Sequence, residues 1–108
     1  MLMSSNYSKS FARVNDPLTL LVLNIFLETF RNIESYYTGE GTAEERLEGK
    51  RGIRWIRNME GNFKILAIAS GMSIEKFHGL CLEKINEIKR KAYEKRVLEK
   101  ENRKRKIS

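Results

Sequence analysis

The chain has 108 residues, with 21 Lys and Arg against 14 Asp and Glu, one His, one Cys and one Pro, for a formal net charge of +7. A lone Cys excludes an intramolecular disulfide scaffold, and with a single His it leaves no ligand cluster for a metal. At 41% hydrophobic and 32% charged residues, the composition suits one small all-α domain with a modest core rather than a disordered chain.

The opening residues 1–16 lack the apolar core of a signal peptide, and residues 1–15 read as a flexible arm. Asp16 followed by Pro17 is a helix start: Asp can accept from free N–H groups, and Pro at the first helical position loses no hydrogen bond. The first helix is expected from Pro17 to about Tyr37, stopped by the glycines of Thr38-Gly39-Glu40-Gly41. Its apolar residues cover most of the circumference. It is therefore either the central helix or a helix with one face left for a second copy or another protein. Thr19, Asn24 and Glu28 interrupt this stretch, which is too short and too polar to span a bilayer, so no membrane partner is expected.

Thr42 and Glu45 form a capping box for a second helix running to about Asn58. Gly49 and Gly52 weaken it intrinsically, by about 1 kcal/mol each relative to Ala, and suggest that another backbone comes close. Arg46, Lys50, Arg54 and Arg57 recur at intervals of 4, 4 and 3 and so form one stripe. Residues 58–62 read as a turn. A short third helix opens at Phe63 and runs through Ser70, Gly71 closes it, and Ser73 caps a fourth helix. The fourth helix carries apolar Ile74, Phe77, Leu80, Cys81, Ile85 and Ile88 on a 3/4 spacing. Residues 16–90 make the domain, and residues 91–108 a basic helical extension that frays at its end. The charge lies there: residues 80–108 carry 11 basic and five acidic side chains, while residues 1–79 carry ten and nine.

Residues 63–80, and the pair over about 63–90, have the layout of a helix-turn-helix. Ala67 is the small residue where two helices cross, Gly71 is the turn glycine, and Leu66, Met72, Phe77 and Leu80 fall where the two helices meet. Docked as such motifs dock, the second helix would present Ser73, Glu75, Lys76 and His78 near its start, and Lys84 or Asn86 further along. Glu75 suits a cytosine amino group, Lys76 a guanine or a phosphate, and Ser73 with the free N–H groups a phosphate. Phosphate contacts would come from Arg46, Lys50, Arg54 and Arg57 and from Lys91, Arg103, Lys104, Arg105 and Lys106 in the extension. Cys81 reads as a small core residue, and Trp55 and Phe63 as packing across the turn between helices. Tyr36 and Tyr37 are expected to be exposed. No activated nucleophile, carboxylate pair or phosphate-cradling glycine loop is apparent, so neither catalysis nor a cofactor is expected.

The run GIRWIRN…NFKILAIASGMSIEKFHGLCLEKI, preceded by PLTLLVLNIFLETFRNI, resembles a set of small phage-encoded proteins. In those, an apolar helix is followed by a W-[IL] pair and then F-x-x-[IV]-x-x-x-A-G-[LM]-[DS]-x-x-x-[VF]. Trp55, Ile56, Phe63, Gly71, Met72, Ser73 and Phe77 fill that pattern, over roughly residues 17–90, while Ser70 departs from the small apolar residue usual before the glycine. The resemblance implies a viral or mobile-element origin and a DNA-binding regulator in the cytoplasm of a host cell. The expectation is a phage-type transcriptional regulator, possible as a homodimer, preferring duplex DNA to RNA. The alternatives are a non-enzymatic factor that grips a host protein through the first helix or the long last one, and an RNA-binding protein whose basic helix enters structured RNA.

Overall fold

The computed structural model describes residues 17–107, with side chains through Lys104; the expected arm of residues 1–15 lies outside them. The described residues form four helices: α1 (Pro17–Thr38), α2 (Ala43–Asn58), α3 (Phe63–Ala69) and α4 (Ile74–Ile107). The all-α expectation holds, and each expected helix is present within a residue or so of its expected ends. The last helix is the exception, continuing to Ile107 where fraying was expected.

Local chemistry sets the boundaries. Thr38 Oγ1 donates back to the Glu34 carbonyl at 2.8 Å, and Gly39 and Gly41 then turn the chain at φ +77° and +80°. Thr42 caps α2, its hydroxyl oxygen accepting from Glu45 N–H at 3.1 Å while the hydroxyl itself donates to the Glu45 carboxylate. The far end of α2 is closed by Met59 at φ +49°, a left-handed conformation unusual for a side-chain-bearing residue. Glu60 N–H bonds the Trp55 carbonyl behind it at 3.0 Å, and the Met59 side chain packs on the core. Ser70, the departure from the phage pattern, donates to the Ala67 carbonyl at 2.5 Å, so a half-buried hydroxyl closes α3. Gly71 follows at φ +86°, and α3 and α4 meet at a bend of 105°.

The hub is α1, which packs against all three other helices. Against α2 it lies antiparallel and very close: a Cβ placed on Gly49 would stand 2.0 Å from the Asn32 carbonyl oxygen, and one on Gly52 would stand 2.9 Å from Thr29 Cγ2. The two helical glycines thus exist to let a backbone approach, as their position suggested. At the other end of α2, the Phe26 ring stacks on Trp55 at 5.2 Å and meets Phe63 and Phe77 edge-on at 5.9 and 4.8 Å. Phe63 is fully buried at the centre of this aromatic group. Helix α4 runs parallel to α1, from Phe77 against Phe26 to Lys95 and Arg96 at the end of α1. Its buried face is Cys81, Ile85, Ile88 and Ala92; from Tyr93 onward every described side chain is exposed.

Candidate nucleic-acid interface

The α2 stripe is divided by its surroundings. Arg46, nearest the start, is turned onto the loop behind it, donating to the carbonyls of Gly41 at 2.6 Å and Gly39 at 3.4 Å. A cation there meets the free carbonyls and the negative end of α1, so Arg46 is engaged in structure rather than presented to a ligand. Arg54 is also engaged, with Nε 2.9 Å from Glu60 Oε1. Asn58 and Arg54 together hold the Glu60 carboxyl below the usual carboxylate range. Lys50 and Arg57 carry no acidic partner among the described residues.

Lys50, Arg54 and Arg57 border an open groove of about 360 Å³ whose other walls are Tyr36, Tyr37, Ile53 and Asn58. The two tyrosine rings meet edge to face at 5.2 Å, and Tyr36 is exposed, as its position suggested. Tyr37 serves two neighbours: its ring lines this groove, while its carbonyl accepts a hydrogen bond from Arg96 of α4. One residue along, Lys95 Nζ sits 2.7 Å from Glu40 Oε1, and this carboxylate raises the lysine pKa. The α2 stripe and the α4 extension, some 40 residues apart in sequence, therefore converge on the carboxyl-terminal end of α1. Beyond Arg96, α4 continues with exposed Lys100, Arg103 and Lys104, and Arg105 and Lys106 lie further along the same helix.

Lys91 stands one turn before this junction, paired with Glu87 at 2.9 Å, and Lys84 reaches the same carboxylate at 3.9 Å. These cations hold the Glu87 carboxyl below its usual range, chiefly through the Lys91 hydrogen bond.

The residues expected at the start of the last helix lie elsewhere. Lys76 is 20 residues from Arg96 along α4, about 30 Å at 1.5 Å per residue. Ser73 caps the helix, its Oγ accepting from Lys76 N–H at 3.2 Å. Glu75 and Lys76 are exposed as expected. His78 is not: its ring lies edge-on against Phe63 at 5.7 Å, and Nε2 is buried with no hydrogen-bond partner among the described residues. The helical rotation that puts Phe77 and Cys81 inward carries His78 to the edge of the core, so it leaves the set of solvent-facing contacts. The exposed surface of these first turns holds Glu75, Lys76, Gly79, Leu80, Glu83, Lys84 and Asn86, two acidic and two basic side chains that balance.

Arg96, Lys95 and the tyrosine walls were absent from the expected site. The two tyrosines next to a basic stripe were the available signal, although Tyr37, expected to be exposed, is half-buried against the core; the arm's return to α1 had none in the sequence.

No family model, curated protein or solved structure matches this chain. No single described helix is long and apolar enough to cross a membrane.

Proposed function

We propose that this protein binds nucleic acid, duplex DNA above RNA, and acts as a small regulator of phage type. The observation that carries the reading is the junction at Tyr37, where Lys50 and Arg57, without acidic partners among the described residues, the Tyr36–Tyr37 wall and the start of the basic extension share one end of the molecule. Cations gathered on one surface can follow a run of phosphates, and each phosphate neutralised releases condensed counterions. Lys50, Arg57, Lys100 and Arg103 are the phosphate contacts in this reading. The α3–α4 pair takes the part of a helix-turn-helix, supported by its 105° bend, the buried Ala67 at the crossing and the left-handed Gly71. Glu75 and Lys76 then reach base edges. The near-neutral surface around them favours positioning by phosphates over strong discrimination between sequences.

The test is fluorescence anisotropy of a labelled duplex across a salt series. With these four phosphate contacts made, the affinity falls roughly 150-fold between 50 and 200 mM salt. The double variant Lys50→Ala/Arg57→Ala lowers the slope of log K against log salt by about 1.8 and weakens all sequences alike, whereas Lys76→Ala changes the preference between sequences. Absence of binding at 50 mM salt, or a response flat in salt, refutes the proposal. Tighter binding of a structured RNA competitor transfers the site to RNA.

A further inference from the structure

Tyr36 is held where a planar ligand can lie against it. Because Gly49 has no side chain, α1 comes close enough for Tyr36 Cβ to stand 2.9 Å from where a Cβ on Gly49 would be, so the root of the tyrosine is fixed against α2. The residue is nevertheless 39% exposed, and with Ile53, Lys50 and Arg57 it borders the groove of about 360 Å³. Its contact with Tyr37 is edge to face, at 5.2 Å and 65°, which occupies at most one face of the Tyr36 ring and leaves the other open. Ile53, buried, gives the groove an apolar floor, and Lys50 and Arg57 have no acidic partner among the described residues. The Glu60 carboxylate is taken by Arg54 and Asn58.

We infer, on the basis of the nucleic-acid reading above, that this groove takes one unpaired nucleotide of a DNA strand, its base stacked on Tyr36 and its flanking phosphates held by Lys50 and Arg57. Three observations select that occupant. The first is size: at about 360 Å³ the groove lies near the lower end of the about 300–1,000 Å³ of small-ligand clefts, so it admits a single nucleotide while a duplex lies across its mouth. The second is the pairing of an open aromatic face with unpartnered cations. An acidic side chain of a protein would satisfy Lys50 or Arg57 but has no plane to lay on a tyrosine, whereas a nucleotide carries a π face and a phosphate together. The third is spacing. Lys50 and Arg57 stand two helical turns apart, about 10.5 Å along the axis, and their side chains are long enough to close on the phosphates at either side of one nucleotide. Inside a duplex each base already has both faces covered by its neighbours, so the base that meets Tyr36 lies outside the stack, as at a single-stranded overhang.

Fluorescence anisotropy at about 100 mM salt compares three forms of one duplex: blunt, carrying a short single-stranded overhang, and carrying the same overhang made abasic, which keeps the phosphates and loses the bases. The full-length protein binds the base-bearing overhang roughly 5- to 150-fold more tightly than the abasic one, the range that stacking on an aromatic side chain supplies. Tyr36→Leu, apolar but without a ring, abolishes this difference, and Tyr36→Phe keeps it; both variants retain the wild-type far-ultraviolet dichroism spectrum. A 2-aminopurine in the overhang adds a second readout, its fluorescence quenched by the wild type and not by Tyr36→Leu. Equal affinity for the base-bearing and abasic overhangs, with the blunt duplex still bound, overturns this inference alone and leaves the groove reading phosphate only. A difference that survives in Tyr36→Leu also overturns it, moving the stacking to another ring. Failure to bind any of the three duplexes overturns the nucleic-acid reading as well.

Discussion

Replacing Gly49 by alanine adds one methyl group at the tightest point of the fold, and the structure gives the size of the conflict. The new carbon would lie 2.0 Å from the Asn32 carbonyl oxygen, 2.6 Å from its carbon and 2.9 Å from Tyr36 Cβ. Ordinary contact begins near 3.4 Å, so the deficit is about 1.4 Å. Its nearest opponent is backbone inside a helix, which has no rotamer to escape into, so α1 and α2 must separate or slide. Either movement loosens the Gly52–Thr29 contact and the Phe26–Trp55 stack along the same seam. Overpacking of this kind costs about 3 kcal/mol, and alanine's better helix propensity returns about 1. A net loss of about 2 kcal/mol corresponds to a fall in melting temperature of roughly 8–16 °C for a domain of this size. Gly79 is the internal control. It is also helical, but it is exposed, and a Cβ there meets nothing within 4 Å, so Gly79→Ala should gain about 1 kcal/mol and melt roughly 4–8 °C higher. Thermal unfolding followed by dichroism measures both. A Gly49→Ala protein that melts at or above the wild type refutes the close-approach argument, as does a shift of the same sign in the two variants.

Phe63→Ala empties the centre of the aromatic group and should cost about 3–5 kcal/mol, read as a lower midpoint in urea at unchanged slope. Thr42→Ala removes the acceptor for Glu45 N–H and should cost about 1 kcal/mol, with Thr42→Ser restoring most of it. Burial pushes the Cys81 thiol up to about 11, so it should resist a chromogenic disulfide reagent at pH 8 until the protein is unfolded. Above pH 9 the unfolded chain loses this proton while the folded chain keeps it, so the thiol's contribution to stability declines between pH 9 and 11 by about 2–3 kcal/mol. The difference in pH dependence between wild type and Cys81→Ala isolates the thiol's contribution from that of every other group.

Helix number and position were legible because each boundary is written in local chemistry: Pro17 at the start, Gly39 and Gly41 at the first stop, and the Thr42–Glu45 cap. The 3/4 spacing of Ile74, Phe77, Leu80, Cys81, Ile85 and Ile88 located the inward face of α4 except at Leu80, which is exposed, as is Met72 in the turn; both were expected where α3 and α4 meet, and the 105° bend leaves them outside that contact. What could not be read was the use of each cation. Periodicity placed Arg46, Lys50, Arg54 and Arg57 on one face, but which of them stays available depends on what that face meets. Arg46 meets the carbonyl end of α1, and Arg54 meets a glutamate six residues later. His78 was assigned to solvent because it is polar, although one step of helical rotation from Phe77 leaves it on the margin of the core. Likewise Met59 turns left-handed where glycine would be expected, because its side chain gains core contact that glycine lacks.

The length of α4 connects the two ends of the molecule. Its packing on α1 ends at Arg96, and residues 97–107 continue as helix with every described side chain exposed. The packed turns before it supply the helical nucleus, so this stretch extends an existing helix and needs no nucleation of its own. In the proposed function, this projecting basic helix is the surface along which phosphates would lie. Among the described residues, α4 is last held to α1 by buried Ala92, the Tyr37 carbonyl and the exposed Lys95–Glu40 pair, so its final turns can move without disturbing the aromatic core around Phe63.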